Sequence, residues 1–333
     1  MICLILSKRS ASKDARFEVM RKKKPARSRH KPGAPPRKRA TVRDFLRHTV
    51  KRFTAAKLAF GHGTDNARDE AAFLILEGLH LPIDRLDAVL EKKLTGGERQ
   101  RLTALIEARV ATRKPAPYLL GRAYVGGVPF YVDERVIVPR SFIGEVLRGP
   151  LFQGEHAGLL GNPAKIRRVL DLCTGSACLA VLAAHAFPEA RIDATEISTD
   201  ALEVAGRNVS ESGLGGRIRL LQGDLFAPVK GGRYDLILAN PPYVDAKGMA
   251  ALPREYRHEP ALALDGGADG LALIRRILAE TPAHLAPKGG LLCEVGRGKA
   301  RLEAEFPLPF LWLDTEASSG EVFWVEAEGF KRR

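Results

Sequence analysis

Hydrophobic and polar positions repeat with a helical period between residues 41 and 114. The stretch TVRDFLRHTVKRFTAAKL places apolar side chains on one stripe, which is formed by Val42, Phe45, Leu46, Val50 and Phe53. The stretch GHGTDN, residues 61–66, breaks this pattern, and Thr64 or Asp65 is the expected N-cap of a second helix that stops near Pro82. A third helical pattern, GGERQRLTALIEARV, completes a predicted small helical domain.

The pattern changes at residues 123–140, AYVGGVPFYVDERVIVPR, where aromatic and β-branched residues surround Gly126 and Gly127. This arrangement predicts a β-hairpin that links two domains. From Arg167 onward helix-like segments alternate with strand-like runs, which are RRVLDLCT, ARIDATEI, RIRLLQGD, YDLILAN and GGLLCEVG. The alternation predicts a Rossmann-like α/β fold whose mostly parallel sheet is covered by helices on both faces. The final segments, FLWLD and GEVFWVEA, predict a terminal strand pair, with an antiparallel arrangement as one option.

The positive charge of the chain is concentrated at its start. The net charge is +14, yet residues 1–40 hold 14 Lys/Arg against Asp14 and Glu18, while the other 293 residues hold 39 basic and 37 acidic side chains. The stretch RKKKPARSRHKPGAPPRKR buries too little apolar surface to fold, so residues 1–40 are predicted to form a disordered basic extension. An arm for RNA or a ribosome surface, a solubilising extension and a transit peptide are the three interpretations of it.

Composition narrows the protein class further. No apolar run approaches the roughly 18 residues of a membrane span, so no membrane association is expected. The cysteines form no CxxC pair and are too sparse for a disulfide framework; they are Cys3, Cys173, Cys178 and Cys293. A reducing compartment, most simply the cytoplasm, is therefore expected. The run ICLIL at residues 2–6 is shorter than the core of a secretory signal and precedes its positive charges.

Polar residues follow the carboxyl ends of successive predicted strands, which is where open α/β sheets bind ligands. In the first, VLDLCTGSACLA, Asp171 ends the strand and Gly175 lets the backbone pass close to a ligand before a helix begins. Cys173 and Ala177 stand where a G-x-G-x-x-G turn would have glycines, which disfavours a nicotinamide dehydrogenase. The negative charge of Asp171 suits a cationic or zwitterionic ligand better than a pyrophosphate.

The next two strand ends also carry acids. Glu196, in IDATEIS, is suited to accept both hydroxyls of a ribose. Asp224, in QGDLF, is suited to accept from an adenine amino group, with Leu225 and Phe226 packing on the ring. Each acid alone could equally cap a helix, but three successive strand ends of this kind favour a nucleoside site.

The fourth strand runs into Asn240, Pro241, Pro242 and Tyr243, and the two prolines must end it because neither donates a ladder hydrogen bond. An amide or amino nitrogen is a poor nucleophile, since its lone pair is delocalised into the adjacent π system. Hydrogen bonds from its two N–H groups to Asn240 Oδ1 and the Pro241 carbonyl would orient it for attack, and Tyr243 would offer a stacking face. The motif therefore predicts chemistry at a planar nitrogen.

These four sites, in this order, resemble class I S-adenosylmethionine (SAM)-dependent methyltransferases with the NPPY motif. The segments GHGTDNARDEAAFLILEGLHLP, DLCTGSAC and NPPYVDAKGMAALPREYRHEPALAL resemble the protein-glutamine methyltransferases of the HemK/PrmC/PrmB family, and its PrmB branch in particular, over residues 41–327. The resemblance implies methyl transfer from SAM to the side-chain amide nitrogen of a glutamine in ribosomal protein three of the large subunit. It also implies a helical substrate-docking domain (41–120), a hairpin linker (121–140) and a SAM-dependent methyltransferase domain (141–333).

The resemblance also implies residue roles. The amino-acid end of SAM falls to Asp171, Thr174, Gly175 and Ser176. The ribose falls to Glu196, and the adenine to Asp224 and Leu225. The substrate glutamine falls to Asn240, Pro241, Pro242 and Tyr243, and Asn240 also borders the cofactor.

Two features of the sequence depart from the family pattern. Ala177 replaces a usual glycine, and the basic tail lies outside the family pattern.

Arg140 lies either at the mouth of the cofactor pocket or on the surface of a domain junction. Glu259 is expected to shape the substrate cleft and His258 to be structural, because an attacking amide can lose its proton to water without a strong base. The glycines at 266, 267 and 270 predict a loop that enters the next helix.

The same sequence features are compatible with other functions. The release-factor branch would use the same chemistry on another protein. An amino-methyltransferase acting on nucleic acid would also use NPPY, although the folded part of the chain is nearly neutral and has no basic target-recognition insertion. An assembly factor that binds pre-ribosomal particles through residues 1–40 is the alternative from another class.

Overall fold

A computed structural model describes residues 40–150, 152, 163–315 and 318–331. The chain divides into two compact units, the first ending at Leu120 and the second beginning at Gly121. The basic extension predicted over residues 1–40 lies outside the described range apart from Ala40.

The described part of the first unit is built from helices. They are α1 (Val42–Ala55), α2 (Ala67–Gly78), α3 (Leu86–Val89), α4 (Gly96–Thr112) and α5 (Ala116–Leu120). Helices α1 and α4 begin at capping boxes closed by Thr41 and Thr95. The predicted N-cap of α2 is wrong, because Asn66, and not Thr64 or Asp65, accepts hydrogen bonds from the N–H groups of Arg68 and Asp69 in the first turn.

The second unit opens with the predicted hairpin, β1 (Ala123–Val125) paired antiparallel with β2 (Val128–Phe130). Gly126 and Gly127 form its turn with φ of 64° and 77°. Both angles lie in the left-handed region, as a two-residue hairpin turn that matches the strand twist requires.

A seven-stranded sheet forms the centre of the second unit. Its strands are β3 (Arg168–Leu172), β4 (Arg191–Glu196), β5 (Ile218–Gln222), β6 (Tyr234–Ala239), β7 (Leu285–Glu294), β8 (Leu311–Leu313) and β9 (Val322–Glu326). They lie in the order β5-β4-β3-β6-β7-β9-β8, and β9 is antiparallel to both of its neighbours while the other pairings are parallel. The predicted mostly parallel sheet with an antiparallel terminal pair is confirmed.

Helices cover both faces of this sheet, as predicted. Those of the second unit are α6 (Ile143–Val146), α7 (Cys178–Ala186), α8 (Thr199–Glu211), α9 (Ala246–Ala251), α10 (Ala272–His284) and α11 (Lys299–Glu305). Alternate residues of the central strands enter two separate cores, one shared with α6, α7 and α8 and the other with α10 and α11. Within the described ranges, every helix is too short or too polar to cross a bilayer.

The order of the strands reverses between β3 and β6. Strand β3 is followed in the chain by β4 on one side, whereas β6 and β7 lie on the other side, so the loops after β3 and β6 diverge. The register pairs Leu172 with Ala239, which brings the loops that follow these two strands to the same edge. A crevice at such a switch point is the usual ligand site of an open α/β sheet.

Candidate active site

A cavity of about 410 Å³ opens at the carboxyl edge of β3, β4, β5 and β6. The structure brings nearly all of the predicted site residues to its lining, namely Thr174, Gly175, Ser176, Glu196, Asp224, Leu225, Asn240, Pro241, Pro242 and Tyr243. Arg140 also lines it. Asp171 and His258 do not, and Asp171 instead lies wholly buried beneath the turn after β3.

Asp171 holds that turn from below. One of its carboxylate oxygens, Oδ2, accepts hydrogen bonds from Thr174 Oγ1 at 2.5 Å and from the Ala180 N–H at 3.1 Å, while Oδ1 has no partner among the described residues. Burial raises the pKa of Asp171 to about 7, with Glu196 adding to the rise and the two hydrogen bonds opposing it. The carboxyl group therefore supports the turn that faces the cavity.

The raised pKa of Asp171 predicts a pH dependence of stability. Because this pKa lies above the ordinary value of 3.8, the folded protein holds the proton over a window in which the unfolded chain has lost it. The free energy of unfolding should therefore fall as pH rises from about 4 to about 7, by up to about 1.4 kcal/mol per pH unit from this group. Asp171→Asn removes this contribution while its amide oxygen still accepts from Thr174. The free energy of unfolding, measured with urea at several pH values, should fall more steeply with pH in wild type than in Asp171→Asn. An equal dependence on pH in the two proteins would contradict the raised pKa of Asp171.

The turn after β3 contains three left-handed residues, Cys173, Gly175 and Ala177, with φ of 56°, 54° and 62°. Only the middle one is a glycine. This conformation costs a non-glycine residue about 1–2 kcal/mol, and such strain is commonly found where backbone is shaped around a ligand.

At position 177 the surroundings suit the usual glycine in some respects and the alanine found here in others. Glycine would relieve the left-handed strain. It would also lose a fully buried methyl group that stabilises the fold by about 0.8 kcal/mol. In addition, ordering the more flexible glycine backbone on folding would cost about 0.5–1 kcal/mol. We expect Ala177→Gly to change the free energy of unfolding by less than about 1 kcal/mol, because these contributions nearly cancel. Ala177→Val should cost clearly more, since β-branched residues rarely adopt this conformation. Urea unfolding of both variants tests this, and equal losses would refute it.

Glu196 is the last residue of β4 and is 9% exposed. Its Oε2 accepts from the Gly175 N–H at 2.9 Å and its Oε1 from the Ser198 N–H at 3.0 Å. Each oxygen keeps a second lone pair. The carboxylate is thus fixed by the backbone on both sides and can still accept from a pair of hydroxyl groups in the cavity.

Asp224 lies two residues after β5 and is paired with a residue that sequence reasoning missed. Its Oδ2 accepts from Arg276 Nη2 of α10 at 2.8 Å, and both side chains are about half exposed. Arg276 lines the same cavity, as does the buried Leu225. No sequence pattern marked Arg276, because it lies on a helix 52 residues away and meets Asp224 only in the fold.

The loop after β6 presents an amide. Asn240 is half-buried, and its side chain makes no hydrogen bond within the described part of the chain, whereas Pro241 behind it is buried. The backbone of Tyr243 is enclosed by the predicted glycine loop: an added Cβ would lie 2.7 Å from Tyr243 Cα at Gly266 and 2.5 Å from the Tyr243 carbonyl oxygen at Gly270. These glycines therefore permit the close approach that holds the loop in place.

Arg140 lines the cavity and is held by Glu259, which does not line it. The guanidinium of Arg140 donates to both Glu259 oxygens at 2.6 and 2.7 Å, and the Val138 N–H donates to Oε1 at 2.9 Å. The Arg140 guanidinium also lies 5.4 Å from the ring centre of Tyr256. The Glu259 side chain is fully buried, so it acts as an anchor for Arg140.

Sequence reasoning also missed Glu294, the last residue of β7, which is fully buried. It accepts from Tyr243 Oη at 3.0 Å, from Ser141 Oγ at 2.7 Å and from the Phe142 N–H at 3.0 Å. Burial raises the pKa of Glu294 to about 7 against these hydrogen bonds. The signal was present, because an acid at the end of a buried strand is the pattern that marked Asp171 and Glu196.

Known proteins similar to this chain are methyltransferases. The family model for the methyltransferase small domain matches residues 159–254. The chain is 57% identical over 289 residues to the ribosomal protein uL3 glutamine methyltransferase of Bradyrhizobium diazoefficiens, covering 86% of this chain and 91% of that protein. It is 52% identical to the enzyme of the same name from Bordetella pertussis, covering 86% and 95%. A solved methyltransferase from Pyrococcus furiosus aligns with 66% of this chain and 96% of its own, at 17% identity and a TM-score of 0.45.

The identities to these relatives extend over both the helical unit and the α/β unit. They confirm the prediction of a methyltransferase and the resemblance to the PrmB branch. The chain belongs to the ribosomal protein uL3 glutamine methyltransferase family.

Proposed function

We propose that this protein transfers the methyl group of SAM to the side-chain amide nitrogen of a glutamine in ribosomal protein uL3. The observation that carries the proposal is the Asn240 amide at the switch point of the sheet, which has no side-chain hydrogen bond to any described residue and lies in the same cavity as the fixed carboxylate of Glu196. The names of the relatives, which are identical at more than half of their aligned positions, support uL3 as the acceptor.

The residues of the cavity fit SAM. The rigid Glu196 carboxylate is suited to a ribose diol, and Asp224 with Leu225 is suited to an adenine. The backbone of Thr174, Gly175 and Ser176 would hold the amino-acid end. When bound, SAM supplies an electrophilic methyl group.

The loop after β6 acts on the acceptor. The two N–H groups of the substrate amide would donate to Asn240 Oδ1 and to the Pro241 carbonyl, which fixes the nitrogen and favours the positive charge that develops on it. No strong base is required, because the proton leaves to water after the transfer. Glu259 and Glu294 are both committed to internal hydrogen bonds.

The peptide around the target glutamine is proposed to contact the segment 252–264, which forms one wall of the cavity. Leu262 of this wall is 59% exposed, and Ile197 at the mouth of the same cavity is 51% exposed. An exposed large apolar side chain at a ligand cavity is suited to a protein contact. The helical unit, residues 41–120, is proposed to supply the remaining docking surface.

Leu262 offers a direct test of this contact. We expect Leu262→Ser to raise the KM for uL3 by about fivefold or more, as the loss of one buried leucine contact would, while the Kd for SAM stays unchanged. The matched control is Leu311→Ser, which removes a 45% exposed leucine of β8 that does not line the cavity. Initial rates at several uL3 concentrations measure both variants, and an equal KM for Leu262→Ser and wild type would remove Leu262 from the docking surface.

The acceptor itself is tested by competition. Purified uL3 and a peptide release factor are presented together with labelled SAM, and transfer to each protein is followed separately. Preferential labelling of uL3 supports the proposal. Preferential labelling of the release factor would keep the chemistry and replace the substrate. A cytoplasmic location and an RNA contact through residues 1–40 stay predictions.

A further inference from the structure

Glu294 gathers hydrogen bonds from two separate segments that line the cavity. Its Oε1 accepts from Tyr243 of the NPPY loop, and its Oε2 accepts from Ser141 and from the Phe142 N–H, directly after Arg140. Ser141 and Tyr243 both line the cavity, whereas Glu294 does not. One buried carboxylate thus joins the segment that carries Arg140 to the loop that carries Asn240.

The contact with Tyr243 fixes the direction of that side chain. The Tyr243 hydroxyl is directed to Glu294 inside the protein, and its ring packs so closely on Gly296 that a Cβ there would lie 2.7 Å from ring carbons Cδ2 and Cε2. Two prolines connect Tyr243 to Asn240, and their fixed φ angles leave the short loop little freedom to compensate. A displaced Tyr243 would therefore displace the Asn240 amide.

The register of the sheet places Glu294 for this task. Strands β6 and β7 pair Ala239 with Cys293, so Asn240 and Glu294 are the next residues on adjacent parallel strands. The acid arises from a rigid central strand that is covered on both faces, rather than from a loop. It is therefore a firm support for the loop beside it.

We propose that Glu294 is a positioning residue for methyl transfer, acting through Tyr243 to hold the Asn240 amide against the substrate glutamine. The inference rests on the proposed function. A group that must orient a nucleophile tolerates little displacement, and a misplacement of about 1 Å can cost on the order of a hundredfold in rate. Glu294 touches neither the substrate nor SAM, and its effect on the rate passes through the Tyr243 hydroxyl.

Four variants test the inference: Glu294→Ala, Glu294→Gln, Tyr243→Phe and the double variant Tyr243→Phe/Glu294→Ala. Glutamine can replace the contacts, because its oxygen accepts from Ser141 and Phe142 while its amide nitrogen donates to the Tyr243 oxygen. We expect Glu294→Ala to lower kcat by about tenfold or more, with the Kd for SAM within about threefold of wild type and with recovery of most of the rate in Glu294→Gln. The double variant should be no slower than Glu294→Ala, because both changes break the same contact.

Two results would overturn the inference. One is a kcat for Glu294→Ala within about twofold of wild type. The other is a double variant whose fold loss in kcat equals the product of the losses in the two single variants, as independent effects would give. If Glu294→Ala does not fold, Tyr243→Phe, which removes the same hydrogen bond, takes its place: a kcat for Tyr243→Phe within about twofold of wild type would then overturn the inference.

A second readout needs no acceptor and separates this inference from the proposed function. Hydrogen exchange of the peptide spanning residues 239–246 should be faster in Glu294→Ala than in wild type or Glu294→Gln. Unchanged exchange would overturn the positioning role even if uL3 is methylated. Faster exchange in a protein that leaves uL3 unlabelled would support the positioning role and reject uL3 as the acceptor.

Discussion

Replacing Asn240 with alanine is expected to lower kcat by about tenfold or more while leaving the Kd for SAM within about threefold of wild type, because the amide is proposed to act on the acceptor nitrogen. Asn240 is the one predicted acceptor ligand with a side-chain oxygen that has no internal partner in the described part of the chain. Alanine removes that oxygen and leaves only the Pro241 carbonyl to orient the amide. The loss therefore appears in kcat and not in the Kd for SAM.

Single-turnover transfer with saturating SAM and uL3 measures this effect, and calorimetric titration of SAM measures the affinity. Asn66→Ala is the matched control, since it removes the N-cap of α2 in the other unit and should cost about 1 kcal/mol of stability without touching the cavity. A wild-type rate in Asn240→Ala would refute the mechanism. A slow rate in both variants would trace the loss to stability.

Replacing Glu196 with alanine is expected to raise the Kd for SAM by about tenfold or more, because two effects add in the same direction. The substitution removes the proposed acceptor for the ribose hydroxyls, and it leaves the N–H groups of Gly175 and Ser198 without the carboxylate that now fixes them. The turn that is proposed to hold the amino-acid end of SAM would thus loosen together with the proposed ribose site.

Calorimetry with SAM again provides the measurement. Glu189→Ala is the control, because it removes an exposed glutamate that pairs with Arg167 and lies outside the cavity. At saturating SAM, kcat of Glu196→Ala should recover to a larger fraction of wild type than that of Asn240→Ala. Unchanged SAM affinity in Glu196→Ala would remove this residue from the cofactor site.

The sequence predicted the sheet well because its strands have a local signature. In β3 and β6, alternate residues such as Leu170 and Ile237 enter one core while Val169 and Leu236 enter the other, so a continuous apolar run indicates a strand covered on both faces. Strand ends are equally local features. The sequence alone therefore identifies four of the five polar strand ends at this edge.

The sequence did not predict which distant residues meet, even where a strand end such as that of Glu294 carried a local signal. Glu294 lies 51 residues after Tyr243, and only the pairing of Ala239 with Cys293 brings the acid beside the NPPY loop. Arg276 meets Asp224 only because α10 packs on the second face of the sheet. Register and helix packing are tertiary properties, and residue spacing along one chain does not determine them.

The direction of the Asp171 side chain is a third feature that the sequence did not determine. The sequence indicated an acid at a ligand-binding strand end, but a strand residue points to one of two faces or to the turn, and the end of a strand does not distinguish them. The structure places its carboxylate beneath Thr174 and the first turn of α7. Its proposed contribution to SAM binding is therefore support of the turn.

The position of the transferred methyl group is the decisive measurement, because the cavity is proposed to methylate the side-chain nitrogen of a glutamine in uL3. Purified uL3 is incubated with the protein and SAM, digested, and sequenced by tandem mass spectrometry. We expect one added methyl group on a glutamine side chain of uL3, absent when Asn240→Ala replaces wild type over the same short reaction time. A methyl group on a lysine, an arginine or a nucleic-acid base, with uL3 glutamines unmodified, would contradict it.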